Sequence, residues 1–364
     1  MVNSAPNNTP VAGQDESHAA PTTLEWRLSF WIAIATVLFI QIVGLAAFLK
    51  HQGVYYNTFY GFPMTILNIG GNIIAALGLR FILHRWFEKS TSSRPLTQGP
   101  NYVAQGLEMA VIALVLTLTL LAYSWPKVMV PILNPRLWDG VLARLDVLLC
   151  FGVNPNEFFL TIFEGAPRVL NQMIDRYYGL FVLSQGALLA WFVTDPRANK
   201  RIAFGSAFIL LWVLGAWSYV AMPALGPVYV FEDYFQRVTT IFPANAATQG
   251  ALLTNYDAVC GLVEGKDALI MPHLGIAAMP SLHVAANVFF YLWSCFVRSR
   301  LRLPLLAMAT LTLFTSVAIC WHYLIDGVVG IAYAGAAFGA GIVINRMLDA
   351  RGAPQPQATV ESSP

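Results

Sequence analysis

Residues 303–345 read LPLLAMATLTLFTSVAICWHYLIDGVVGIAYAGAAFGAGIVIN. Two runs in this stretch, 303 to 321 and 325 to 345, are apolar on all sides rather than along one helical stripe. A helix of that kind must be enclosed by protein or by lipid. About 20 such residues cross a hydrocarbon layer of roughly 30 Å. The joint between the runs carries His322, and Asp326 follows four residues later. Ionisable groups at such depth are costly, and they mark a functional site by default.

Working outward, windows of the same kind recur at 27–49, 60–83, 103–124, 173–193, 203–224 and 281–297, making eight with the two above. The composition agrees, with 57% hydrophobic and 11% charged residues and a mean hydropathy of +0.60. A water-soluble protein of this length could not hide so much apolar surface. The expected fold class is an all-α polytopic membrane protein of eight transmembrane helices. A net charge of +2, with no basic run interleaved with aromatics, excludes nucleic acid as a partner. No internal repeat of fixed period is visible, which excludes a solenoid or an obvious inverted-repeat transporter.

The ends differ in character from the middle. Residues 1–25 are rich in Asn, Pro, Ala and Thr and are expected to be a disordered cytoplasmic segment, with the first span as the anchor. Residues 348–364 are expected to be a disordered cytoplasmic tail. The two spans within 26–101 form one unit, and 102–347 form a second of six helices. Of the four cysteines, none has metal-ligand spacing, and a Cys150–Cys260 disulfide would need both loops in an oxidising compartment.

Every second loop is basic. Arg80, Arg85, Lys89 and Arg94 lie in one, Arg197, Lys200 and Arg201 in another, and Arg298, Arg300 and Arg302 in a third. By the positive-inside rule these loops and both termini are cytoplasmic. The long stretches 125–172 and 225–280 and the Trp321–Leu324 joint then face outward, where function concentrates. Short loops and a simple anchor point to a bacterial inner membrane. Within the first outer stretch, residues 137–151 (LWDGVLARLDVLLCF) place Asp139, Arg144 and Asp146 among apolar residues at helical spacing. An interfacial helix is expected there, structural in role or shaping lipid entry.

Two motifs stand out from the apolar background: Met279-Pro280-Ser281-Leu282-His283, which opens the sixth span, and Trp321-His322-Tyr323-Leu324-Ile325-Asp326. The topology brings both to the outer face. Residues four apart share a helical face, so Asp326 can hold one imidazole nitrogen of His322 and leave the other free as a nucleophile. His283 sits where Ser281 caps a helix whose free N–H groups and dipole suit a phosphate, and from there it could protonate a leaving alkoxide. A lone histidine in a span is more often a packing residue, and His51, His84 and His273 stay in that class. Two histidines and an aspartate could also bind a metal, but a third clear ligand is missing and Asp326 is better placed to orient His322. No metal and no cofactor is therefore expected. A proton relay in a transporter is the remaining class, although it leaves the Pro-Ser-x-His helix start unexplained.

At these residues the sequence resembles the type 2 phosphatidic acid phosphatase superfamily, whose signature pairs Pro-Ser-Gly-His at a helix start with a later His-x-x-x-Asp. The resemblance implies that the last six spans are the catalytic core and the first two an addition. It also implies metal-independent chemistry through a phosphohistidine on His322, with His283 as acid and then base and Asp326 orienting His322. The family's first motif, a Lys and an Arg-Pro six residues apart, is absent where Pro223–Tyr229 stands, and its Ser-Arg is replaced by Thr315-Ser316. Phosphate charge in such a site must be met by a cation, so Arg136, Arg168, Arg176 and Arg237 join Ser281 as expected substrate-binding residues. Leu282, the missing Arg, the eight spans and the Asp139/Asp146 helix resemble the inositol phosphorylceramide synthase branch, which transfers a phosphorylated head group to a lipid alcohol. The expectation is such a transferase acting on a phospholipid or lipid phosphate; a lipid phosphate or diphosphate phosphatase is the alternative.

Overall fold

The computed structural model describes residues 23–54, 61–88, 102–266 and 268–351, and all regular structure among them is helical. Of the ends expected to be disordered, 1–25 and 348–364, residues 1–22 and 352–364 lie outside the described residues, as does the basic stretch at 89–101, while 24–25 and 348–351 are helical and belong to the first and last helices. In chain order the helices are α1 (Leu24–His51), α2 (Phe62–Glu88), α3 (Tyr102–Val128), α4 (Val130–Leu133), α5 (Asp139–Leu149), α6 (Pro155–Glu164) and α7 (Arg168–Val193). They continue with α8 (Ala198–Ala221), α9 (Pro227–Val230), α10 (Tyr234–Ile241), α11 (Pro243–Val263), α12 (Leu282–Phe296), α13 (Arg302–Ala318) and α14 (Leu324–Arg351).

Among the described residues, five helical stretches are long and apolar enough to cross a membrane: Leu24–His51, Phe62–Ile82, Gly106–Val128, Ala198–Ala221 and Leu324–Ala350. The other three expected spans are helices but shorter in their apolar part: Ser184–Val193 in α7, Leu282–Phe296 and Arg302–Ala318. At 1.5 Å per residue, helices of 15 and 17 residues reach only about 23–26 Å, less than a typical hydrocarbon core. The first half of α7 is polar for a structural reason. Its buried Asp175 accepts bonds from the Ala244 and Asn245 backbone N–H groups, both at 2.9 Å, and so caps the start of α11. The long stretches 125–172 and 225–280 are correspondingly helical, supplying α4–α6 and α9–α11.

The long helices form a row in which α1 packs on α3, α3 on α8, α8 on α14, α14 on α12 and α12 on α13, while α2 lies against α3 and α7. A continuous aromatic core of Phe204, Phe208, Phe289, Phe290 and Trp293 fills the α8–α12 contact. At one end of the row buried Glu108 of α3 takes Arg27 of α1 at 3.1 Å and Arg201 of α8 at 2.9 Å, so the charges are paired. The basic turns gather at this same end: Arg80 donates to Thr194 beside Asp195 and Arg197, and Lys200 lies 3.8 Å over the ring of Phe296, near Arg298. His283 begins α12 and Phe296 ends it, so the histidine motif occupies the opposite end.

Candidate active site

Ser281 is fully buried and caps α12 through a side-chain contact of 3.5 Å with the Val284 N–H. Its own N–H donates to the Asp326 carbonyl at 2.9 Å, fastening the start of α12 to the start of α14. This brings together the two motifs that sequence spacing separates. His283 Nδ1 stands 3.2 Å from His322 Nε2. On the other side of the His322 ring, Nδ1 lies 3.4 Å from Asp326 Oδ2, an electrostatic contact rather than an aligned hydrogen bond. That same Oδ2 accepts the Tyr323 N–H at 2.9 Å. His322 and Asp326 are 2% and 0% exposed, while His283 is half-buried and forms the accessible side of the pair.

The turn that carries His322 is unusual. Cys320, just before it, has φ +55°, in the left-handed region that disfavours a residue with a Cβ. Interactions from several elements hold it there. Asn156 of α6 donates to the carbonyls of Val317 and His322 at 2.8 and 3.1 Å, and Gln249 of α11 donates to Ile319 at 2.9 Å. The Val228 N–H donates to the Cys320 carbonyl at 3.0 Å. Gly226 passes so close to the Trp321 carbonyl that a Cβ would sit 2.5 Å from it, and its φ of +104° suits only glycine.

Helix α5 completes the clamp. Within the stretch 137–151 the helix runs from Asp139 to Leu149, and both of its acids point into the protein. Asp139 accepts from the Leu225 and Gly226 N–H groups at 3.0 and 2.8 Å and from the Tyr323 hydroxyl at 3.1 Å. Asp146 accepts from the Leu324 and Ile325 N–H groups at 2.6 and 2.7 Å, so it caps α14 at the positive end of that helix. Burial nevertheless pushes its carboxyl up to about 6, the two backbone bonds only partly offsetting the lost hydration. The outward face of α5 is apolar, with Val141, Leu148 and, just past its end, Phe151 exposed.

An aromatic wall surrounds the histidines. The Tyr178 hydroxyl is 2.9 Å from His283 Nδ1, the Tyr178 ring is 5.5 Å from Trp321, and Trp321 meets His283 edge-on at 6.2 Å. One turn below His283, buried Asn287 accepts from Gln185 and donates to Thr312, both at 2.7 Å. No local sequence signal marks Tyr178, Asn156 or Gln249, which reach the site from helices distant in the chain.

The expected phosphate-binding arginines differ in their surroundings. Arg136, Arg168 and Arg176 are exposed, the first 5.6 Å over the ring of Trp138. Arg237 is ion-paired with Glu157 at 2.7 Å, Glu164 at 2.6 Å and Asp233 at 3.3 Å, and the hydrogen bonds to Glu164 and Glu157 hold its guanidinium above the usual range. Cys150 and Cys260 are unpaired. Among the described residues no three His, Cys, Asp or Glu side chains converge in a metal-holding group.

A family model for the PAP2 superfamily, the type 2 phosphatidic acid phosphatases, matches residues 140–340. No curated protein and no solved structure matches the chain. Since more than half of its residues fall within the family match, and both histidine motifs lie among them, this all-helical membrane chain belongs to the PAP2 superfamily.

Proposed function

We propose that this protein is a lipid phosphoryl-transfer enzyme that works through a phosphohistidine on His322 and passes a phosphorylated head group to a lipid alcohol. The observation that carries the reading is the 3.2 Å approach of His283 Nδ1 to His322 Nε2, with Asp326 at the far nitrogen of His322. Nε2 attacks the phosphorus of a lipid phosphodiester, and the P–N bond forms as the P–O bond to the departing alkoxide breaks. His283, entering as the imidazolium, gives that oxygen its proton. Neutral His283 then takes the proton of the acceptor alcohol, whose oxygen attacks phosphorus and expels the His322 nitrogen. Both histidines return to their starting forms, and Asp326 stabilises the cationic character of His322 throughout.

The choice of acceptor is supported by shielding. His322 is 2% exposed and the pair is walled by Tyr178 and Trp321. A centre kept from bulk water favours a bound alcohol held in attack position. The second reading, a lipid phosphate or diphosphate phosphatase, uses the same first half-reaction with water as acceptor. Eight crossings are proposed, with α7, α12 and α13 completing the five full-length spans and the last six crossings as the core. The clustering of basic turns at the end away from His283 supports an extracytoplasmic site, in a bacterial inner membrane.

The test is to incubate purified protein, in chelator, with lipid phosphates, a lipid diphosphate, and phosphatidylinositol with ceramide or diacylglycerol, beside His322→Ala. A new phospholipid without free phosphate supports the transferase, and free phosphate lost in the variant supports the phosphatase. Neither product, with substrate flux in liposomes, would return the relay transporter.

A further inference from the structure

Phosphoryl oxygens entering a poorly hydrated site need a cation, because an anion buried without a partner loses its hydration with nothing in return. The arginines nominated from sequence are ill-suited: three are exposed, and a phosphate approaching Arg237 would meet the three carboxylates already around it. Lys127, at the end of α3, differs from all of them. It is half-buried, and no carboxylate among the described residues lies within 4.0 Å of it. Its ammonium is instead 5.7 Å from the ring centre of Tyr123 and 5.5 Å from that of Tyr219. Ring faces attract a cation without neutralising it.

Its position relative to the motif follows from two contacts. The Tyr219 hydroxyl lies against the backbone of Leu282, the residue before His283. The strand of chain leading to Ser281 passes so close to Lys127 that a Cβ on Gly275 would sit 3.1 Å from the lysine Cγ. The ammonium is also within electrostatic reach of His283. Lys127 precedes the family match at 140–340, so it comes from a part of the chain that the match does not cover.

We infer that Lys127 is the cation that receives the phosphoryl oxygens of a phosphate ester at the His283–His322 pair, in place of the basic motif missing after α8. The inference rests on the phosphoryl-transfer reading given above. A lysine held by ring faces is a movable point charge, suited to following a phosphoryl group as it shifts from one oxygen to another through His322.

The experiment titrates inorganic phosphate and, in a separate arm, a short-chain phosphatidic acid into the full-length protein by calorimetry, with wild type, Lys127→Met, Lys127→Arg and Arg136→Ala compared. Lys127→Met should weaken binding by about tenfold or more, the loss expected for one charge-assisted hydrogen bond, while Lys127→Arg stays within about threefold of wild type and Arg136→Ala is unchanged. Loss in both arms assigns Lys127 to oxygens shared with free phosphate; loss only with the lipid assigns it to the ester. Unaltered affinity in Lys127→Met overturns the inference while leaving the phosphoryl-transfer reading intact. A wild type that binds neither ligand and turns over no phosphate ester overturns both. Lys127→Gln makes the same comparison should the Met variant not fold.

Discussion

The Asp139 carboxylate accepts a hydrogen bond from the Tyr323 hydroxyl at 3.1 Å, across 184 residues of chain. Asp139 also takes two backbone N–H groups at 225 and 226, so it ties the loop after α8 to the residue that follows His322. Removing the carboxylate in Asp139→Ala leaves three donors short of a partner. Because a hydrogen bond to a charged group is worth about 1.5–3 kcal/mol and such losses overlap, the variant should lose about 3 kcal/mol of stability. Denaturation followed by tryptophan fluorescence checks this, and Asp139→Asn, which keeps one acceptor oxygen, should lose less.

Asp146 makes stability depend on pH with a defined sign. Its carboxyl is raised from 3.8 to about 6 by burial, so the folded protein holds this proton more tightly than the unfolded chain. The contribution is fully present below pH 4 and is lost as pH rises through 6. Melting temperatures measured from pH 4 to 7 should therefore show a downward component in wild type that is missing in Asp146→Asn. A wild-type curve that shows no such component relative to the variant would contradict the assignment.

The three motif residues should separate kinetically. His322→Ala should abolish turnover, and Asp326→Asn should leave a slow enzyme, down by about 10²–10⁴-fold, as expected for an orienting carboxylate. His283→Ala should be most harmful with poor leaving groups and mildest with good ones, because only the former need a proton. Rates for a series of aryl phosphodiesters would decide it; equal, mild effects from all three variants would sink the mechanism.

Tyr178 touches His283 Nδ1 at 2.9 Å and so competes with His322 for the same nitrogen. Tyr178→Phe keeps the ring contact to Trp321 but removes the hydroxyl that competes there. Its kcat should shift by about tenfold with the pH optimum displaced, and KM should change little, a pattern that steady-state kinetics over a pH series would reveal.

Much of this was legible in the sequence because membrane spans and helix-borne motifs are local signals. The runs around 24–51, 106–128 and 324–350 are long and uninterrupted, and the helical span of each follows from hydropathy alone. His322 and Asp326 announce themselves by spacing, and Asp139 and Asp146, seven apart, share one helical face. What could not be read is the partner of each polar group. Nothing local marks Asn156 as the donor to the His322 carbonyl 166 residues away, and nothing distinguishes Arg237, consumed by Glu157 and Glu164, from a free cation. The windows read at 281–297 and 303–321 run slightly past the ends of α12 and α13 because apolar residues in the adjoining turns extend the hydropathy signal.

Helix α5 is an amphipath turned inside out: its acids hold the turn that carries His322, and its greasy side, with Leu148 74% and Phe151 100% exposed, meets the surroundings. Whatever solvates that side bears directly on the geometry of His322. Under the proposed membrane placement, stripping lipid or detergent from that side should disturb the turn that carries His322 while leaving the helical row intact.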